Sequence, residues 1–388
     1  MKWKKLQLSK IAREDKVIVP PDSSEAETRS YLGLEQVESG TGRILSYNNN
    51  SAEGKSTTFA FDNRHVLYGK LRPYLNKVAV PKINGRCSTE IIPLLPVDVD
   101  REFLAFLLRT DKIVNAAMAD KTGSRMPRTD MKQLLNQEVI IPETLIEQRQ
   151  IASHLKAQLE EVESARQAAQ VQLSDIHLLR TRMLKAFFAK LDSIPKKRLG
   201  EYAHTTSGVT PSRSNAAYWQ PAEVAWVKTG EIDFSPITYV NESISKKALA
   251  ECSLSLLPPK TVLIAITGEG KTRGRSAVLE VSATTNQHSV AVLPNEIWDA
   301  EFLQLWLQAS YQDLRDLSEG RGGSRSALTG GHIRNLEIPA PTTSEQQQLV
   351  AHIKTALTEI DTLEQSSKTV LADIEKLPAR ILAQAFKK

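Results

Sequence analysis

Two stretches of this chain place apolar residues every seven positions. In the first, Leu155, Val162, Ala169, Ile176 and Met183 form a row, with Leu159, Leu173 and Phe187 four positions after members of it. In the second, Ile353, Ile360, Ile374 and Ile381 keep the spacing, flanked by Leu357, Leu363, Val370, Leu371 and Leu377. A seven-residue apolar row is the seam of helices wound about one another, so each stretch is predicted to be a long coiled-coil helix. Ser367 interrupts the second row. Pro378, which lacks an amide proton and crowds the preceding turn, predicts a kink there. Both stretches open alike. An Ile-Pro step (Ile141-Pro142, Ile338-Pro339) favours extended backbone, and a Thr-x-x-Glu comes next, Thr144 with Glu147 and Thr342 with Glu345, in which hydroxyl and carboxylate cap each other's amides. About 44 residues at 1.5 Å each give a rod of roughly 65 Å. The segments before the rods read differently: short β-rich runs bounded by Gly, Pro and Asn, with one amphipathic helix each, over 103–115 and 300–317. The order is globule, rod, globule, rod.

That order is a duplication. Shifting the sequence by 198 residues aligns 144–188 with 342–386 without a gap, and 16 of the 45 positions are identical, among them Gln148/Gln346, His154/His352, Asp175/Asp373, Ile176/Ile374 and Phe188/Phe386. Shared helical composition does not produce an ungapped register of that length. The globules correspond more loosely: LSKIA at 8–12 with LGEYA at 199–203, VLYGKLRPYLNKVAV at 66–80 with VLIAITGEGKTRGRSAVLEV at 262–281, and GSR at 123–125 and 323–325. The predicted fold class is therefore α+β, two mixed α/β globules and two long helices in a pseudo-twofold internal repeat, with segments 1–142, 143–192, 193–340 and 341–388.

Length and composition agree with this division. The 388 residues suit more than one domain, and 41% hydrophobic with 24% charged residues suffice for buried cores. Cys87 and Cys252 lie far apart and have no Cys or His partner at metal-ligand spacing, so neither a disulfide framework nor a zinc cluster is expected, and a reducing cytoplasm is the expected compartment. The basic N-terminal residues lack the apolar stretch of a signal peptide, and the longest apolar runs, such as 262–266, are too short for a bilayer, so no membrane location is expected. The net charge of +5 hides an uneven distribution: +5 over residues 1–140, +3 over 141–198, −3 over 199–340 and zero over 341–388.

Candidate chemistry is sparse. The run AITGEGKT at 265–272 fits a relaxed phosphate-binding loop, and a nucleotide-hydrolysing enzyme built on Gly270-Lys271-Thr272 is the alternative it raises. Such a loop must lead into a helix whose N-terminus faces the phosphates. The adjoining run, TRGRSAVLEV at 272–281, reads as a second strand, so a basic hairpin loop is the preferred reading. The seven histidines are scattered, and His154 and His352, in the first turns of the rods, fit helix packing or a partner contact better than metal ligation. Basic residues, in contrast, gather in loops: Lys70, Arg72 and Lys77 with Lys121, Arg125 and Arg128, then Lys271, Arg273 and Arg275 with Arg321, Arg325 and Arg334. Tyr74, Asn76, Ser124, Asn286, Gln287 and Ser324 are interleaved with them. Cations that neutralise phosphates beside side chains that reach base edges point to double-stranded DNA as the partner.

With these features in place, the chain resembles the specificity subunit of type I restriction–modification systems, over essentially its whole length. The residues that carry the resemblance are LRPYLNKVAV at 71–80 with CSTEI at 87–91, SGVTPSRSNAAYW at 207–219 with WVKTGEI at 226–232, and the two Ile-Pro…Glu-Gln-x-Gln helix openings. The resemblance implies two target-recognition domains, each reading one half of a split, asymmetric DNA site. It implies that the long helices pack antiparallel, set the gap between the half-sites and dock two methyltransferase (modification) subunits, with restriction/translocase subunits completing the complex. It further implies a non-catalytic chain with no cofactor of its own, S-adenosylmethionine, ATP and Mg residing on partners. Arg213 and Lys228, within the family-like motifs, join the expected DNA contacts. Gln148, His154, Leu155, Val162, Ile176, Phe187, Gln346, His352, Ile353, Ile360 and Ile374 are the expected coiled-coil and docking residues. A reader subunit of a variant methylation-based phage-defence system would carry the same features.

Overall fold

The computed structural model describes residues 2–48, 56–119, 125–268, 270–317 and 327–387. The heptad rows form helices over Leu145–Ala189 and Thr343–Ala385. The chain divides into two compact units, Met1–Val171 with Lys368–Lys388, and Gln172–Ser367, so each unit holds the start of one long helix and the end of the other.

Within each unit these helix segments run antiparallel. In the first, Leu155 shares a core with Leu382, and eleven residues on, Arg166 feels the charge of Glu375. In the second, Arg180 reaches Asp361 and Glu364 while Phe188 shares a core with Val350 and Ile353. The Thr-x-x-Glu openings cap the helices: the Glu147 amide donates to Thr144 Oγ1 at 3.3 Å, and the Thr342 amide donates to Glu345 Oε2 at 2.8 Å. The second helix contains both residues that its sequence marks as irregular. It runs through Ser367, which is buried where the first helix buries its repeat counterpart Ala169, so a small hydroxyl is accommodated in the seam. Pro378 likewise lies inside the helix without ending it.

The duplication extends through the globules. Unit 1 has a four-stranded antiparallel sheet in the order Ala12–Glu14, Ile91–Pro96, Val66–Gly69, Val78–Ala79; unit 2 repeats it as Thr205–Ser207, Ser289–Val292, Val262–Ala265, Ser276–Val278. Each sheet is covered by a helix, Arg101–Leu108 and Ala300–Ala309, whose first amides are capped by Asp100 and Asp299. Helical spacing predicts one longer helix in each place; both instead restart, over Asp111–Met118 and Tyr311–Leu317. In unit 1 the Thr110 hydroxyl donates to Leu107 O at 2.7 Å at the break, the local competition with the helix ladder that Thr brings. A second sheet in each unit, four-stranded in unit 1 and three-stranded in unit 2, contains one parallel pair, Ser30–Leu32 with Gly85–Ser88 and Val224–Val227 with Thr284–Thr285. The main cores lie where sheet, covering helix and long-helix segments meet: Phe103 packs on Phe386 at 5.3 Å between centroids, and Phe302 on Phe188 at 5.5 Å. No described helix is long and apolar enough to cross a membrane.

Candidate nucleic-acid interface

In unit 1 the two basic loops expected from sequence do meet. The hairpin of Val66–Gly69 and Val78–Ala79 sends the 70–77 turn out past the sheet, and residue 72 takes the left-handed conformation (φ 53°) that turns the chain back. The Arg72 amide donates to Pro127 O at 2.7 Å, and the Thr129 amide to Lys70 O at 2.8 Å, which lays the 125–129 segment along the turn. Glu90, the glutamate of CSTEI, then draws the cations together: Arg128 Nη2 lies 3.0 Å from Glu90 Oε1, and Lys70 Nζ 4.0 Å from Oε2. Arg72, Tyr74 and Arg125 are exposed beside this cluster. Such charge pairs at a surface contribute little to stability, so a phosphate competes for these guanidinium groups at small cost.

Other members of the expected set face inward. Asn76, also left-handed at φ 48°, donates from Nδ2 to Arg109 O at 2.8 Å, and half-buried Lys77 donates to Leu34 O at 2.6 Å, with burial lowering its pKa. Neither is a free surface reader; the tight turn directs them into the protein. Ser124 and Lys121 lie outside the described residues.

Unit 2 builds its cluster elsewhere. The 207–219 segment folds back on itself, Asn215 accepting the Ala217 amide at 3.1 Å and Trp219 Nε1 donating to Ser212 O at 3.0 Å. This sets the Arg213 guanidinium 3.6 Å over the Trp219 ring centroid and 5.4 Å from that of Trp226, with the two rings edge to face. Glu242 pairs with Arg213 and, at 3.3 Å, with Lys228; the Arg213 hydrogen bond holds its carboxyl below the ordinary range. Arg213 and Lys228 are about half exposed. Gln287 is exposed and accepts from Thr210 Oγ1 at 2.7 Å, while Asn286 is buried, accepting from Thr229 Oγ1 at 2.7 Å. Sequence reasoning gives no role to Glu90, Trp219 or Trp226, although each lies inside a quoted motif, nor to Glu242, ten residues beyond one; acidic residues among basic ones stand out only once the fold shows them as organisers.

The run around Gly270-Lys271-Thr272 turns through Gly268 (φ 119°) and Gly274 (φ 89°) and returns as Ser276–Val278 antiparallel to Val262–Ala265. It leads into a strand, as expected, so no helix N-terminus faces a phosphate and the nucleotide-hydrolysing alternative lacks its essential element. Lys271 is exposed. Arg273 is 4% exposed, too enclosed for a surface contact, and Arg275 is half-buried with its guanidinium 5.8 Å from the Phe234 centroid. The expectation that all three cations line the hairpin's surface is corrected for Arg273, which is enclosed; Lys271 is exposed and Arg275 partly so. Ser324, Arg325 and Arg321 lie outside the described residues.

Among the coiled-coil residues, Leu155, Ile176, Ile353 and Ile360 are buried, and Val162, Phe187 and Ile374 half-buried. His154 and His352 are exposed at equivalent positions. Gln148 and Gln346 are fully buried and bonded within the chain, which removes them from any docking surface.

A family model described as the type I restriction modification DNA specificity domain matches residues 30–172 and again 194–372. The chain is 25% identical over 155 residues to the Type I restriction enzyme EcoR124I/EcoR124II specificity subunit of Escherichia coli, covering 40% of this chain and 38% of that protein. It is 27% identical over 206 residues to the MjaIX specificity subunit of Methanocaldococcus jannaschii, covering 50% and 45%. The matches thus span less than half of these relatives' own length. A chain solved in work on complex assembly and conformational transition of the type I R-M system superposes with a TM-score of 0.80 at 21% identity over 99% of this chain and 97% of that one. The HsdS subunit from Thermoanaerobacter tengcongensis superposes with a TM-score of 0.61, also at 21% identity, over 99% and 96%. These two structures share the fold, and with both of its halves matched by one family model, the chain belongs to the type I restriction modification DNA specificity domain family.

Proposed function

We propose that this chain is the sequence-specific DNA-recognition subunit of a type I restriction–modification complex, each globule reading one half of an asymmetric bipartite site. The observation that carries this reading is that a matched scaffold bears different cationic clusters among the described residues: Lys70 and Arg128 around Glu90 in one unit, Arg213 and Lys228 around Glu242 in the other. Two different readers on one chain imply two different half-sites, where a symmetric dimer would read a palindrome. The paired long helices set the spacing and dock two methyltransferase subunits, with restriction/translocase subunits joining the full assembly. Chemistry belongs to those partners, which bring S-adenosylmethionine, ATP and Mg; this chain positions them and is not itself catalytic. It acts with them in the cytoplasm. Replacing residues 1–142 with the corresponding segment of a relative, expressing the hybrid with its methyltransferase and sequencing the methylome tests this. One half of the methylated site should change and the other stay; a change in both, or in neither, sinks the two-reader model.

A further inference from the structure

Of the cations paired with Glu90 or Glu242, Arg213 alone among the described residues is oriented by an aromatic ring as well as by a carboxylate. Its guanidinium carbon sits 3.6 Å from the Trp219 centroid, a separation that a planar group reaches only by lying parallel to the ring. The frame beneath it is tied down. Trp219 donates from Nε1 to Ser212 O at 3.0 Å, and Trp226, 2% exposed, donates from Nε1 to Val209 O at 3.1 Å, so the 209–212 segment leading to Arg213 is held on both rings. The acid belongs to the same frame, because the Trp226 amide donates to Glu242 O at 2.9 Å. Glu242 accepts from Arg213 Nη1, while Arg213 Nε and Nη2 make no hydrogen bond among the described residues.

Nε and Nη2 are the two donors along one edge of a guanidinium, and in the major groove O6 and N7 of guanine are two acceptors in one plane that such a fork matches. A phosphate contact makes no comparable demand on orientation, and a lysine on a flexible stem serves it well. A base edge rewards donors held in a fixed plane. Stacking on Trp219 fixes that plane, and the side-chain freedom is lost on folding rather than on binding, which favours recognition by a preorganised group. The duplication adds an independent point. On the corresponding parallel pair of unit 1 the aromatic residue is Tyr31, and the guanidinium 5.1 Å from its ring is Arg86, which is 2% exposed. The shared scaffold thus encloses its stacked arginine in unit 1, whereas the Arg213 side chain is 55% exposed in unit 2, a difference that suits two unlike half-sites.

We propose that Arg213 reads one guanine of the half-site bound by unit 2, donating from Nε and Nη2 to O6 and N7 in the major groove, with Trp219 and Glu242 as its positioning residues. This rests on the chain being a DNA-recognition subunit. Methylome sequencing of cells expressing the full chain with its methyltransferase gives the site, and exchange of residues 1–142 identifies the half that belongs to unit 2. That half should contain a guanine on one strand. Fluorescence anisotropy of the complex on duplexes carrying 7-deazaguanine, which lacks the N7 acceptor, at one guanine at a time should show weaker binding at a single position. Arg213→Lys keeps a cation beside Glu242 but has no planar fork. It should erase that penalty and relax the methylated sequence at the same base pair alone, with a loss of about 5- to 150-fold in discrimination, the range a bidentate pair supplies. Trp219→Leu, compared at equal folded concentration, should also shrink the penalty, which a ring of merely structural value would leave unchanged. The assignment is overturned by a half-site without guanine, by 7-deazaguanine that weakens binding nowhere, or by a penalty of parental size in either variant. A loss in Arg213→Lys that is uniform across sequences, marking a phosphate contact, overturns it as well. A parent complex that methylates no bipartite site defeats the recognition reading and this assignment together, whereas a parent that methylates one while these results fail defeats the assignment alone.

Discussion

The Asp100 amide donates to Gln148 Oε1 at 2.8 Å, and the Asp299 amide donates to Gln346 Oε1 at the same distance. Each glutamine also donates from Nε2 to a proline carbonyl just before its own helix, Pro142 or Pro341, at 2.9 Å. One side chain thus ties three things together: the start of a long helix, the segment leading into it, and the N-terminus of the helix that covers the sheet. A glutamine suits the task because its amide offers an acceptor and a donor at a fixed separation, where a hydrophobic residue would leave an amide and a carbonyl unpaired in the core.

Gln148→Leu and Gln346→Leu should each therefore destabilise the chain by about 1–3 kcal/mol for the groups left unpaired. Urea denaturation with a probe in each unit measures this. Because Gln148 and Gln346 belong to different units, the first substitution should lower the midpoint reported from unit 1 and the second that from unit 2. A variant as stable as the parent would mean that water replaces the clamp.

The aromatic pairs predict a second asymmetry. Phe188 is 7% exposed against Phe302, while Phe386, which faces Phe103, is half-buried. Truncating a fully buried phenylalanine costs ~3–5 kcal/mol, so Phe188→Ala should approach that range and Phe386→Ala fall below it. Equal losses in chemical denaturation would show that exposure does not grade the two sites.

The helices and their pairing are legible in the sequence because a seven-residue row has few other interpretations, and the 198-residue shift exposes the duplication. Loops are less legible. Arg72 and Asn76 stand four residues apart in one turn, yet the backbone leaves Arg72 exposed and takes Asn76 inward to Arg109, a distinction that depends on two left-handed residues rather than on composition. Arg273 and Lys271 differ in the same way, and Gln148 reads as a docking group because burial of a polar side chain is invisible until its partners are known. Ser367 and Pro378 both lie inside the second helix, where neighbouring contacts hold it through residues that would weaken it alone.

At the proposed DNA-reading surface, exposed and enclosed cations should separate cleanly. Arg125→Ala and Arg72→Ala should weaken binding of a cognate duplex by the complex with its methyltransferase. If the residue contacts a base edge, the loss should be about 1–3 kcal/mol and confined to one base pair; if it contacts phosphate, the loss should be uniform across sequences with a shallower salt dependence. Arg273→Gln, in contrast, should lower stability and leave affinity at a given folded concentration unchanged, because its side chain is enclosed. Fluorescence anisotropy at several salt concentrations distinguishes these; a specific affinity loss in Arg273→Gln would return that residue to the interface.

Acid should act on unit 1 through Glu163. Its carboxylate accepts from Arg166 Nε and Nη2, both at 2.8 Å, and from Gln167 Nε2 at 2.7 Å, and the Arg166 hydrogen bonds hold its pKa down at about 2 against an ordinary 4.5. Because the folded state binds this proton more weakly than the unfolded chain, the contribution is present in full above pH 4.5 and is lost as the pH falls from there through about 2. Asp62, held at about 2 mainly by the Arg64 hydrogen bond, acts in the same direction. Glu163→Gln should be less stable than the parent at neutral pH, and the gap should narrow on acidification through this window. Denaturation midpoints measured from pH 7 to pH 3 check the sign: a gap that is constant with pH would show that the ion pair adds nothing to stability and that the loss comes only from packing.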